Sequence, residues 1–97
     1  MSEIEAPEGW KLENDALKRV FVFEDFPHAI GFVVELGRLA EQLYHHPDVD
    51  IRWNKVHVTL CTHDAGGVAT RKDVEQAEQA NAITAEAIAA RAKELFG

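Results

Sequence analysis

The sequence is poor in the features that mark membrane, secreted and nucleic-acid-binding proteins. No apolar run approaches the roughly 20 residues of a membrane span, and the first ten residues, MSEIEAPEGW, are acidic with no apolar stretch. Neither a signal peptide nor a transit peptide is expected from them. A single cysteine, Cys61, excludes an internal disulfide and fits a reducing compartment. Positive charge is scarce. Ten Lys and Arg stand against 17 Asp and Glu, for a net charge of −7, and the basic residues are scattered apart from Lys18-Arg19 and Arg71-Lys72. A nucleic-acid surface needs clustered cations to meet phosphates, so none is expected. No Ser or Cys stands in a recognisable nucleophile motif. There are no repeats, linkers or low-complexity tracts. The expectation is a soluble cytoplasmic protein with no nucleic-acid or membrane partner.

With 46% apolar and 28% charged residues, the 97-residue chain has ordinary globular composition. A chain this short buries only about 60–65% of its unfolded surface, so its core is marginal and association between copies is plausible. Residues 1–8 read as a flexible arm and residues 9–97 as one domain. Trp10 to Leu12 reads as a short strand, and Glu13-Asn14-Asp15 supplies turn chemistry. From Ala16 to Phe23, Leu17, Arg19, Phe21 and Phe23 alternate with Lys18, Val20 and Val22, a period-2 strand.

Asp25 is a candidate cap for a helix over Phe26 to Tyr44, with Pro27 tolerated in its first turn. Ala29, Phe32, Val33, Leu36, Ala40 and Leu43 give this helix an apolar stripe. Ile30, Val34 and Gly37 widen it, which suggests a helix-to-helix contact between subunits. Pro47 ends the helix. Strands follow over Val49–Trp53 and Val56–Thr62, joined by a turn at Asn54-Lys55. Val56, Val58 and Leu60 face the core, and His57, Thr59, Cys61 and His63 face away. Gly66-Gly67 predicts unusual backbone angles. Thr70-Arg71-Lys72-Asp73 resembles a capping box opening one last helix to about Leu95. The order β-β-α-β-β-α describes an α+β fold, a four-stranded antiparallel sheet with helices on one face.

Four of the five histidines lie between Glu41 and His63: His45, His46, His57 and His63. Imidazole exchanges protons near neutrality. The fold order brings the pair at the helix end toward His63 at the strand end. His45 lies four residues after Glu41, where a carboxylate on the same helical face could orient it. Asp73 could add a second carboxylate. Such a set suits general acid–base chemistry. Other readings stand beside it. Any one histidine could be structural, His28 reads as solvated, His57 as a sheet-surface residue, Asp73 as a cap only, and Trp10 and Trp53 as core. A metal site would need the four histidines to converge, but their spacing matches no structural zinc pattern.

The ordered set Glu41, His45, His46, Pro47, Trp53, Thr62 and His63, in EQLYHHP and WNKVHVTLCTHDAGG, closely resembles the pterin-4a-carbinolamine dehydratase family, known also for dimerisation-cofactor members. The resemblance extends through Gly9-Trp10, Phe21-x-Phe23-x-Asp25-Phe26 and Gly31-Phe32, over roughly residues 9 to 80. It implies dehydration of 4a-hydroxytetrahydropterin to quinonoid dihydropterin in pterin recycling, with no metal or organic cofactor. His45 and His63 would be the acid–base pair, and His46 would mainly hold the substrate. Glu41 would orient His45, Asp73 would take the family's acidic position after the loop, and Trp53 and Thr62 would complete the pattern. It also implies an α+β subunit, dimers joined at sheet edges, often a tetramer packed through the long helix, and an aromatic amino acid hydroxylase in the same pathway. A non-catalytic binding or assembly module is the alternative. Two departures are visible. The helix that many members carry before Gly-Trp is largely missing, and the loop between His63 and Asp73 looks one residue longer than usual.

Overall fold

A computed structural model describes residues 4–97. It orders them as β1 (Lys11–Glu13), β2 (Ala16–Val22), α1 (Phe26–Leu43), β3 (Asp48–Arg52), β4 (Lys55–Leu60), a 3₁₀ turn (His63–Ala65), α2 (Arg71–Asn81) and α3 (Ala85–Phe96). The strands form one antiparallel sheet in the order β1-β2-β4-β3, so β2 and β4 are central and β3 is an edge. The fold is α+β, as the pattern implies. Alternation decides which face packs. Leu17, Phe21, Val56, Val58 and Leu60 are buried with Phe32 and Leu36 of α1, whereas Val20 and Val22 are exposed. Each such buried side chain contributes about 1.5–3 kcal/mol relative to exposure. Among the described residues, no helix is long and apolar enough to cross a membrane.

The turns follow their chemistry. Asn14 (φ 51°) and Asp15 (φ 67°) both adopt left-handed angles between β1 and β2, which these two side chains tolerate. The second hairpin turns one residue earlier than expected, at Trp53-Asn54, with Trp53 at φ 57°. Asn54 anchors that turn. Its carbonyl accepts the Phe23 amide at 2.9 Å, and its Nδ2 donates to the Phe23 carbonyl at 2.9 Å.

Asp25 caps α1 by accepting the His28 amide at 2.9 Å. The helix ends where expected, next to Tyr44, but Pro47 is not what ends it. It closes at Tyr44, whose φ of 51° is left-handed, and the His45 and Tyr44 amides donate back to the Ala40 and Glu41 carbonyls. This is a Schellman closure, and it swings His45 off the helical face that carries Glu41.

The single last helix expected to Leu95 is two helices. Thr84 breaks it, its hydroxyl accepting the Ala87 amide at 3.1 Å to cap a new start. The break lets α3 fold back on α1, burying Ile88 and Ala92. Gly31, not Gly37, is the close-approach glycine. A Cβ there would lie 2.7 Å from the Ile88 carbonyl oxygen, while Gly37 has nothing within 4 Å. Glu35 accepts from Arg91 Nε at 3.0 Å across the same contact. The wide apolar surface of α1 is thus partly covered from within the chain.

The expected arm over residues 1–8 is anchored where it is described, while residues 1–3 lie outside the described residues. Ile4 and Ala6 pack against the core. The Glu8 carbonyl accepts from Arg19 Nη1 and Asn81 Nδ2. Among the described residues, no helix precedes Gly9.

Candidate active site

Three elements meet at one end of the sheet: the segment leaving α1, the end of β4, and the start of α2. Thr62 lies just past β4. Its amide donates to the Val68 carbonyl at 2.9 Å, and its own carbonyl accepts the Ala65 and Gly67 amides. The loop between is closed by Gly66 and Gly67 at φ 83° and 82°. A side chain at either position would be strained. The loop thereby returns the chain to the start of α2.

Asp73, the third residue of α2, is fully buried. Its Oδ2 accepts the Thr70 amide at 2.8 Å, the reciprocal half of a capping box, and the Thr62 hydroxyl at 2.7 Å. Its Oδ1 lies 2.6 Å from His45 Nε2. Asp73 thus both caps a helix and engages a histidine. With the carboxylate accepting at both oxygens, Nε2 carries the hydrogen and Nδ1 is the nitrogen left for a ligand.

His46 takes a different carboxylate. Its Nε2 pairs with Glu41 Oε2 at 2.6 Å, both side chains exposed. Glu41 therefore engages His46 rather than the expected His45, and His45 belongs to Asp73. The cause is the left-handed turn at Tyr44.

His45, His46 and His63 line one open cavity of about 330 Å³ with Tyr44, Pro47, Asp48, Thr62, Asp64 and Lys72. His63 is exposed, at the start of the 3₁₀ turn. Thr62 is part of that lining, Glu41 reaches the site through His46, and Asp73 lies buried behind His45. Trp53 is not brought there within one chain. It sits at the far end of the β3–β4 hairpin, five strand residues from Asp48, or about 16 Å. Lys72, Asp64, Tyr44 and Asp48 escaped sequence reasoning because lining a cavity leaves no spacing signal.

The remaining histidines stay apart. His57 is on the outer sheet face, opposite Val20 and Asp50. His28 is not merely solvated: its Nδ1 lies 2.6 Å from Asp25 Oδ1. That bond holds His28 above the ordinary histidine value, and the His28 amide holds Asp25 below the ordinary carboxylate value. Glu24, Asp25 and His28 are the one group of three potential metal-ligand atoms within 4.8 Å among the described residues. Burial pushes the Cys61 thiol up, away from nucleophile character. A larger hollow of about 510 Å³ lies between β2, α1 and the α2–α3 junction, walled by Phe21, Phe32, Ile83 and Ile88. Of the histidines, only the already engaged His28 reaches it, so the proton-transfer groups are gathered elsewhere.

Comparison with known proteins decides the family. The family model described as Pterin 4 alpha carbinolamine dehydratase matches residues 2–83. This chain belongs to that family. Among its relatives is a protein of Roseiflexus sp. (strain RS-1), provisionally named pterin-4-alpha-carbinolamine dehydratase. It is 48% identical over 75 residues, spanning 77% of this chain and 80% of the relative. A protein of Haloarcula marismortui under the same provisional name is 47% identical over 77 residues, spanning 79% and 83%. The crystal structure of a transcriptional coactivator/pterin dehydratase from Brucella melitensis superposes with a TM-score of 0.73. It is 41% identical and covers 78% of this chain and 82% of that one. In this member of the family, α3 lies beyond the matched residues.

Proposed function

We propose that this chain dehydrates a 4a-hydroxytetrahydropterin to quinonoid dihydropterin and water by histidine general acid–base catalysis. In this reaction the C4a–O bond breaks, the hydroxyl leaves as water after receiving a proton, N5 loses its proton, and a C4a=N5 double bond forms. The observation that carries the reading is His45. Its Nε2 is tied to buried Asp73, and its ring lines the same cavity as His46 and His63. A fixed imidazole with one free nitrogen serves one proton transfer. Exposed His63, across the cavity, serves the other, and His46 with Glu41 holds the pterin. Each positioned transfer is worth about 10²–10⁴ in rate. The substrate is of the kind left by an aromatic amino acid hydroxylase, which places the chain in pterin recycling. The single half-buried thiol fits a reducing cytoplasm. The exposed edge strand β3 is the surface we assign to pairing with a second copy, since an open strand edge is a template for another strand.

The test follows freshly generated 4a-hydroxytetrahydropterin by ultraviolet absorbance, with wild-type protein and with a His45→Ala/His63→Ala control. Acceleration lost in the control supports the enzyme. Folded wild-type protein that leaves the decay unchanged overturns it. The Brucella relative's other designation, transcriptional coactivator, favours one second reading, a pterin-pocket module that binds or assembles a partner. Pterin binding without turnover would select it.

A further inference from the structure

We propose that Gln76 is a positioning residue for His45, the second arm of a two-point clamp that α2 places on the catalytic imidazole. The inference rests on the dehydratase reading for its kinetic consequence but not for its geometry. The buried face of α2 is Asp73, Val74, Gln76, Ala77 and Ala80. Only two of these are polar, and both end on the same residue. Asp73 takes His45 by the ring, Oδ1 to Nε2 at 2.6 Å. Gln76, three residues on and on the same helical side, takes it by the main chain, Nε2 donating to the His45 carbonyl at 2.8 Å. The His45 amide donates to the Ala40 carbonyl at 3.1 Å. His45 is thus fixed at amide, carbonyl and ring, with Nδ1 left over.

This fixing matters because His45 lies outside regular structure, one residue after the left-handed Tyr44. Without the carbonyl bond, the peptide following His45 could rotate and carry the ring away from Asp73. Gln76 is fully buried, and its Oε1 has no protein partner among the described residues. The fold uses only half of this amide, and a buried acceptor without a partner is unfavourable. Leucine would suit the surrounding Val74, Ala77 and Ala80 at least as well for packing. What glutamine adds is the bond to His45.

The test is Gln76→Leu in the full chain, which keeps approximate volume and removes both the donor and the acceptor of the side-chain amide. Gln76→Met is the second variant should the first not fold. Three quantities are read: kcat and KM for 4a-hydroxytetrahydropterin, the downfield proton resonance of the His45–Asp73 bond, and the thermal midpoint. We expect kcat to fall roughly tenfold, the scale of a misplaced catalytic group. KM should stay within about twofold, since the cavity lining is untouched. The downfield resonance should move or broaden, with the midpoint within a few degrees of wild type. Unchanged kcat and unchanged resonance in a folded variant would overturn the proposal. So would a fall in the midpoint with the resonance intact, which marks a merely structural residue. If wild-type protein shows no turnover, the dehydratase reading fails, and the resonance alone then decides whether Gln76 positions His45.

Discussion

Two neighbouring histidines each lie 2.6 Å from a carboxylate, yet the two pairs are physically different objects. In His45–Asp73 the side chains are 12% and 0% exposed, and the carboxylate also accepts from Thr62 and Thr70. Three separate elements fix it. In His46–Glu41 the side chains are 61% and 75% exposed, and both partners sit within six residues of one helix end. Water and salt compete with such a pair, and exposed pairs are typically worth at most about 1 kcal/mol. Equal distance therefore does not mean equal consequence. Burial and the satisfaction of the carboxylate's other lone pairs decide which imidazole is held still.

Breaking the buried side should have the largest effect. His45→Ala should lower kcat by about 10²–10⁴ in the absorbance assay, with circular dichroism unchanged. Asp73→Ala removes one partner of a buried network and strands His45, Thr62 and the Thr70 amide. Urea unfolding should show a loss of about 3–5 kcal/mol. The exposed side should respond weakly. Glu41→Gln should change the unfolding free energy by less than about 1 kcal/mol, and its effect should appear mainly in KM. High salt should erase most of it.

The smallest effect sharpens the comparison with a third pair, Asp25–His28. His28 is raised and Asp25 lowered. The histidine's contribution is complete below its unfolded value of 6.5 and is lost as pH rises through its higher folded value. The aspartate's is complete above 3.8 and is lost as pH falls through its lower folded value. Both act together between about pH 4 and 6.5. The difference in thermal midpoint between wild type and His28→Asn should be greatest there and shrink in alkali. A difference that grows with alkalinity would contradict the assignment.

The strands, the sheet and the histidine set were legible because period-2 alternation and ordered motif residues are one-dimensional signals. Leu17, Phe21, Val56, Val58 and Leu60 all face inward as their spacing predicts. The capping box at Thr70 and the glycine angles at Gly66 and Gly67 were legible from local chemistry. The partner of His45 was not. Its spacing from Glu41 suggests a helical pair, but that inference needs the helix to continue, and one left-handed residue at Tyr44 ends it. Gln76 was illegible for another reason: its bond runs to a backbone carbonyl 31 positions away, which leaves no pattern in sequence. The split after Asn81 was hidden by continuous helix-forming composition, with Thr84 the single signal. Trp53 belonged to the family motif yet stands at the opposite end of its hairpin, since motif order records alignment rather than proximity.

The most direct test compares the two carboxylates in one assay, measuring kcat for dehydration of 4a-hydroxytetrahydropterin by Asp73→Asn and Glu41→Gln. Asparagine keeps the shape of Asp73 but can present a donor to Nε2, which spoils the tautomer. We expect a loss of about a hundredfold or more for Asp73→Asn and less than about threefold for Glu41→Gln. Equal losses, or a folded Asp73→Asn protein with wild-type kcat, would contradict this expectation.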